Sequence, residues 1–170
     1  MSATIAQPKT REISSSVPDP RLMRAINPLV RGMLRSPLRR LLGEHVLLLT
    51  YTGRISGRQY TLPVGYTRDD DTLTVISQHS ASKRWWRNLR GGARVTVDLQ
   101  GARRVCDTEV IEEPTLVANE VERMIVLLGA REASARLFMK LDTTPPLTHA
   151  ELVRALDGVV IVRLTTTGLP

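Results

Sequence analysis

A single cysteine, Cys106, stands among the 170 residues, so a disulfide framework and a cysteine-rich zinc site are both excluded. Histidine is also scarce. His45, His79 and His149 are too far apart for a local ligand pair such as His-x-x-x-His, and no metal site is expected. The longest apolar runs, residues 46–49 and 159–162, fall far short of the roughly 20 residues that a membrane span needs. The opening residues include Gln7, Pro8, Lys9, Arg11 and Glu12 with no apolar stretch, unlike a secretory signal, and a cytoplasmic protein is expected. There is no zinc finger, RNP motif or basic zipper, so nucleic acid is not expected as a partner.

The chain is long enough for one domain, and 42% hydrophobic residues rule out disorder throughout. A formal charge of +7 conceals segregation. Residues 1–45 hold eight basic and three acidic groups, and residues 83–104 hold seven and one. Residues 107–157 carry ten acidic and five basic groups, which leaves the positive surplus elsewhere and suits an anionic partner.

Residues 1–18 are rich in Ser and Thr without an apolar period and read as a mobile arm. Residues 19–44 place Leu22, Met23, Ile26, Leu29, Val30, Met33, Leu34 and Leu38 at helical spacing with arginines between them. That pattern predicts a basic amphipathic helix broken near Pro28 or Pro37, able to pack on the domain, to rest on an anionic membrane surface, or to lid a site for an apolar substrate. Residues 45–170 form the main domain. Strand signals fall at 46–51, 59–67, 72–77, 93–99, 103–111 and 159–165, with Pro63 demoting the second to an edge or bulge. Ser82 is expected to cap a short helix over 83–90 that Gly91-Gly92 ends. Helices are expected from Pro114 to a stop at Gly129, over about 131–141, and from the capping box Thr148-x-x-Glu151 to Gly158. The fold class is α+β, mostly β: a split antiparallel β-barrel of about six strands with flanking helices and an N-terminal amphipathic helix.

Two segments could carry chemistry. The loop Thr52-Gly53-Arg54-Ile55-Ser56-Gly57-Arg58 sets two guanidiniums around a hydroxyl, an arrangement that can hold a phosphate or simply close a hairpin in water. The run Ser77-Gln78-His79-Ser80-Ala81-Ser82-Lys83-Arg84-Trp85-Trp86-Arg87-Asn88-Leu89 leaves a strand and enters a basic helix start that holds both tryptophans. An anion at that helix start beside an indole wall is one reading; a tryptophan plugging the barrel end, with Arg84, Arg87 and Arg90 in water, is the other.

Taken in order, Leu47-Leu48-Leu49-Thr50-x-Thr52-Gly53-Arg54-x-Ser56-Gly57, Thr61-x-Pro63-Val64, Ser77 and Trp85-Trp86-x-Asn88-Leu89-Arg90 resemble the deazaflavin-dependent nitroreductase family over roughly residues 40–112. The resemblance implies a split barrel related to the flavin-binding pyridoxamine-phosphate-oxidase fold, and coenzyme F420 as cofactor, with FMN as the alternative. It implies that Arg54 and Ser56 face the phosphate end and that Pro63 borders the ring. Ser77, Gln78 and His79 would line the deazaflavin and ribityl chain, and Trp85 and Asn88 would complete the pocket. The chain departs from the family pattern at Ile55, Tyr60 and His79-Ser80, and Arg58 and Lys83 could replace the missing basic contacts.

The activity so implied is an F420-dependent oxidoreductase passing a hydride from the reduced deazaflavin to an apolar electron acceptor such as a quinone, nitroarene or activated alkene. The alternative is a non-catalytic barrel that binds a lipid, haem or FMN-like ligand. Related barrels often pair, which makes a homodimer a compatible assembly.

Overall fold

The computed structural model describes residues 45–166 except 79, 138 and 142. The expected arm at 1–18, the amphipathic segment at 19–44 and His79 therefore lie outside the described residues. Seven antiparallel strands follow: β1 (Val46–Thr52), β2 (Gln59–Gly65), β3 (Thr67–Asp69), β4 (Thr72–Ser77), β5 (Arg94–Leu99), β6 (Ala102–Ile111) and β7 (Val160–Thr166). They form one sheet in the order β2-β1-β5-β6-β7-β4-β3. The two outermost strands, β2 and β3, are separated in the chain by Tyr66 alone. One bent segment thus pairs with β1 through its first half and with β4 through its second, which curls the sheet into a split barrel. Counted once, that segment gives the six strands expected. Pro63 sits opposite Leu48, in a strand that pairs on one side only, where a missing N–H costs no second ladder bond.

Strand alternation sorts the side chains into two cores. Leu47, Leu49, Leu73, Val75, Val95, Val97, Val162 and Leu164 point into the barrel. Ile111 and Ile161 point outward and are covered by three helices: α1 (Pro114–Leu128), α2 (Ala130–Leu137) and α3 (His149–Ala155). Truncating a wholly buried residue such as Leu164 would cost about 2–5 kcal/mol.

The helix ends follow local chemistry. Glu113 caps α1 by accepting from the N–H groups of Thr115 and Leu116, which holds its carboxyl below the ordinary 4.5. Gly129, at φ 81°, ends α1, and the Thr148/Glu151 capping box opens α3. Two boundaries depart from expectation. The second helix stops at Leu137 and not near 141; beyond it the Ser134 hydroxyl accepts from the Leu141 N–H, which satisfies that donor outside a helical ladder. The third ends at Ala155, short of Gly158. Tight turns join the hairpins, at Asp70-Asp71 and at Gln100-Gly101, where Gln100 and Gly101 both have positive φ (51° and 87°).

Candidate functional site

The site grows from the end of the barrel where β1 stops, β2 starts and β4 stops. The chain leaves β1 at Thr52 and closes a small ring: Gly53 N donates to Arg58 O, and Gly57 N to Gly53 O, each at 2.8 Å. A Cβ on Gly53 would lie 2.6 Å from Ser56 Oγ and 2.8 Å from Tyr60 Cε2, so a side chain there would push Ser56 and Tyr60 out of their present contact. Ser56 Oγ accepts from Arg58 N and lies 3.1 Å from the Tyr60 hydroxyl. Tyr60 in turn stacks on Tyr51, with ring centroids 5.6 Å apart. Burial raises the Tyr51 phenol pKa, and the neighbouring Tyr60 adds to the rise. Ser56 is therefore part of the loop's own bracing, and Ile55 is left at its apex, fully exposed.

The second segment differs from expectation in kind. It is a 3-10 helix of five residues, Trp85–Leu89, flanked by Arg84 rather than capped by Ser82. One turn of this kind has little aligned dipole, so the anion reading shifts from the helix start to the side chains around it. Trp86 and Leu89 enter the barrel core, and Trp85 packs half-buried against the same cluster. Trp86 donates its indole N–H to Ser80 O at 3.4 Å and lies under two guanidiniums, Arg87 and Arg90, 5.4 and 4.7 Å from its ring centroid. Trp86 is the tryptophan that plugs the barrel end. Arg90 is not simply solvated, since it meets Glu112 through two bonds of 2.9 and 2.5 Å.

Three hydrogen bonds join the segments. Arg54 N donates to Asn88 Oδ1 at 3.0 Å, and Arg54 Nη1 to Arg90 O at 3.3 Å. Asn88 Nδ2 donates to Trp85 O at 3.0 Å. Arg54, Asn88 and Trp85 are thus brought together, with Asn88 acting as the clasp. Lys83 enters this end half-buried, and burial lowers its ammonium pKa. Arg58 stays exposed in the loop.

The remaining candidates are placed apart from that clasp. Ser77 is buried on the barrel-facing side of β4 with Leu73 and Val75, and its hydroxyl has no partner among the described residues. Gln78 is also buried, yet its amide donates to Leu137 O in α2, while its Oε1 has no partner among the described residues. Alternation sends these neighbours to different layers. Pro63 is half-buried in β2, and no hydrogen bond among the described residues links Pro63, Ser77 or Gln78 to the Arg54–Asn88 pair.

Two residues matter more than the sequence suggested. Arg90 holds Arg54 through its carbonyl, Trp86 through its guanidinium and Glu112 through an ion pair, although only its place after Asn88-Leu89 marks it in the sequence. Tyr60, noted only as a departure, braces the loop through Ser56. A shallow hollow lies at the other end of β4, against Arg68, Asp70, Asp71 and Arg104. Its charges are of both signs, whereas Arg54, Arg58, Lys83, Arg84 and Arg87 have no carboxylate within ion-pair distance among the described residues.

Residues 23–125 match the model of the F420H(2)-dependent quinone reductase family. The chain belongs to this family. The family is one of oxidoreductases, and the matched residues include both the β1–β2 loop and the 3-10 helix. No curated protein matches the chain. Among solved structures it is similar to an F420-H2 dependent reductase at 14% identity, over 70% of this chain and 92% of that one, with a TM-score of 0.42. HutZ, the heme storage protein of Vibrio cholerae, is similar at 13% identity, over 84% and 90%, with a TM-score of 0.40. A conserved hypothetical protein of Mycobacterium tuberculosis is similar at 18% identity, over 78% and 81%, with a TM-score of 0.43. An anionic cofactor fits what the family's barrel end offers here: cations without carboxylates and a buried serine hydroxyl, Ser77 Oγ, without a partner among the described residues.

Proposed function

We propose that the protein reduces an apolar electron acceptor, a quinone before a nitroarene or activated alkene, with reduced coenzyme F420 held at the barrel end built from Arg54, Lys83, Trp85 and Asn88. The observation that carries this reading is the bond from Arg54 N to Asn88 Oδ1, which joins two basic segments 34 residues apart into one rim. Arg54 and Lys83 supply positive charge for the phosphate end, and Lys83, lacking a carboxylate among the described residues, regains an ordinary ammonium pKa beside an anion. Ser56 and Arg58 keep the loop in shape, and Pro63 and Ser77 border the ring. The cofactor supplies the hydride; the protein holds the two reactants in contact and excludes water with the half-buried Trp85 wall.

The test is a fluorescence titration of purified protein with F420 beside FMN, each at low and moderate salt. Saturable, salt-sensitive F420 binding is expected, and Arg54→Ala or Lys83→Ala should weaken it about tenfold, the scale of one charge-assisted hydrogen bond. Unchanged affinity in both variants at low salt would remove the phosphate end from this rim. Binding of FMN alone would change the cofactor, and binding of neither would favour a non-catalytic carrier of haem or lipid.

A further inference from the structure

The β1–β2 loop presents an arrangement that the cofactor reading leaves unused. Ile55 is fully exposed at 103%, and lone exposed apolar residues are ordinary by themselves. This one is held out by bracing: the Gly53–Arg58 and Gly57–Gly53 backbone bonds, the Arg58–Ser56 bond and the Ser56–Tyr60 contact fix the loop beneath it. A loop backbone so fixed loses little further freedom on meeting a partner. Around it stand exposed cations. Arg58 follows three residues later, and Arg84 and Arg87 reach the same end through the Asn88 clasp, since Asn88 Nδ2 also donates to Arg84 O. None of the three meets a carboxylate among the described residues. Leu116, Val126 and Leu127 on α1 are exposed as well, but they lie on a helix whose own cation, Arg123, is neutralised by Asp69 and Glu120, and no braced loop holds them out.

We infer that Ile55 is the apolar tip of a docking surface for an anionic lipid bilayer, with Arg58, Arg84 and Arg87 lying against the headgroups. Both halves are required by the chemistry of such a surface: buried apolar area and attraction to negative lipid. Arg54 stays with the cofactor rim, because its guanidinium is turned onto Arg90 O. Docked in this way, the barrel end that carries the candidate site meets the phase in which apolar electron acceptors dissolve. The inference goes beyond the cofactor assignment, and its test uses no cofactor.

The full chain carrying Ile55→Cys is labelled with a polarity-sensitive thiol dye. Cys106 is wholly buried and burial raises its thiol pKa, so the label goes to position 55. Vesicles of phosphatidylcholine with phosphatidylglycerol should shift the dye emission to the blue, and added salt should reverse the shift. Vesicles of phosphatidylcholine alone should leave it unchanged. In co-sedimentation with the mixed vesicles, Ile55→Ser should bind roughly tenfold more weakly than the unaltered chain, the scale of exposing one isoleucine to water. Sedimentation of the labelled chain without a blue shift would place the contact in another segment and overturn the inference. An equal shift with uncharged vesicles, or no binding of the unaltered chain to the mixed vesicles, would overturn it as well.

Discussion

The two ends of the charge distribution behave differently. On the helical flank, Arg163 of β7 bridges Glu109 of β6 and Glu120 of α1, and Arg123 of α1 bridges Glu120 and Asp69 of β3. Those charges alternate in sign along a chain of five, and each arginine is held firmly protonated by its carboxylates. At the barrel end, Arg54, Arg58, Lys83, Arg84 and Arg87 have no such partners among the described residues. The same residue type thus fastens structure in one place and leaves a positive field in the other. A net charge of +7 says nothing about which is which.

Four outcomes would sharpen or break this contrast. The largest effect is expected on the flank. Arg163→Ala removes one of the two arginine partners of Glu120, a carboxylate with only 14% side-chain exposure, and the partner of Glu109. It should lose about 2 kcal/mol in urea unfolding, the scale of hydrogen bonds to a partly buried charge. A loss under about 0.5 kcal/mol would put the flank in the class of ordinary surface pairs and erase the contrast.

Asn88→Ala should come next. It deletes the acceptor of Arg54 N and the donor to Trp85 O, at a cost of about 1–2 kcal/mol, and it should loosen F420 binding more than it loosens the fold. Equal stability and equal affinity would mean that the loop and the 3-10 helix hold together without their clasp.

Lys83 supplies a pH test with a definite sign. Its folded pKa is lowered by burial, so between that value and the unfolded 10.5 the unfolded chain binds more protons, and stability rises with pH across the window. Lys83→Met should flatten the slope and raise stability at neutral pH. An anionic cofactor pulls the pKa back up, so its binding should take up protons in the alkaline part of that window and weaken as pH rises. Calorimetry in two buffers of different ionisation enthalpy measures this uptake, and a cofactor that binds with none does not sit beside Lys83.

The smallest effect is expected at the α1 cap. Glu113 has a depressed folded pKa, set first by the Thr115 and Leu116 N–H groups, so its contribution is present above 4.5 and is lost as pH falls through the folded value. Glu113→Gln should lower the melting temperature slightly at neutral pH and leave it the same as the parent in strong acid.

Much of this could be read without a structure, and the division follows sequence distance. Val95, Val97 and Leu99 alternate into the barrel as their spacing implies, and the Thr148/Glu151 box forms as its pattern implies. The Gln100-Gly101 turn depends on residues in immediate succession. Each rests on interactions within a few residues, which a sequence displays directly. The candidate site was legible as two separate basic segments and an ordered set of motifs. It was not legible as a junction, because the Arg54–Asn88 bond spans 34 residues and needs the register of β1 and the seating of Trp86 before it can form. Ser82 misled as a cap because Trp86 and Leu89 are drawn into the barrel core, and the chain meets that demand with a tight 3-10 turn.

By itself, the sequence determined the strand faces, the starts of α1 and α3 and the family, since alternation, caps and ordered motifs are properties of neighbouring residues. Only the tertiary structure decided which arginines are neutralised, that Gln78 is tied to Leu137, and that Ser77 is left with a buried hydroxyl and no partner among the described residues. The reason is physical: charge pairing and polar satisfaction act at a few ångströms, and the closing of the sheet through Tyr66 sets which distant residues come within that range.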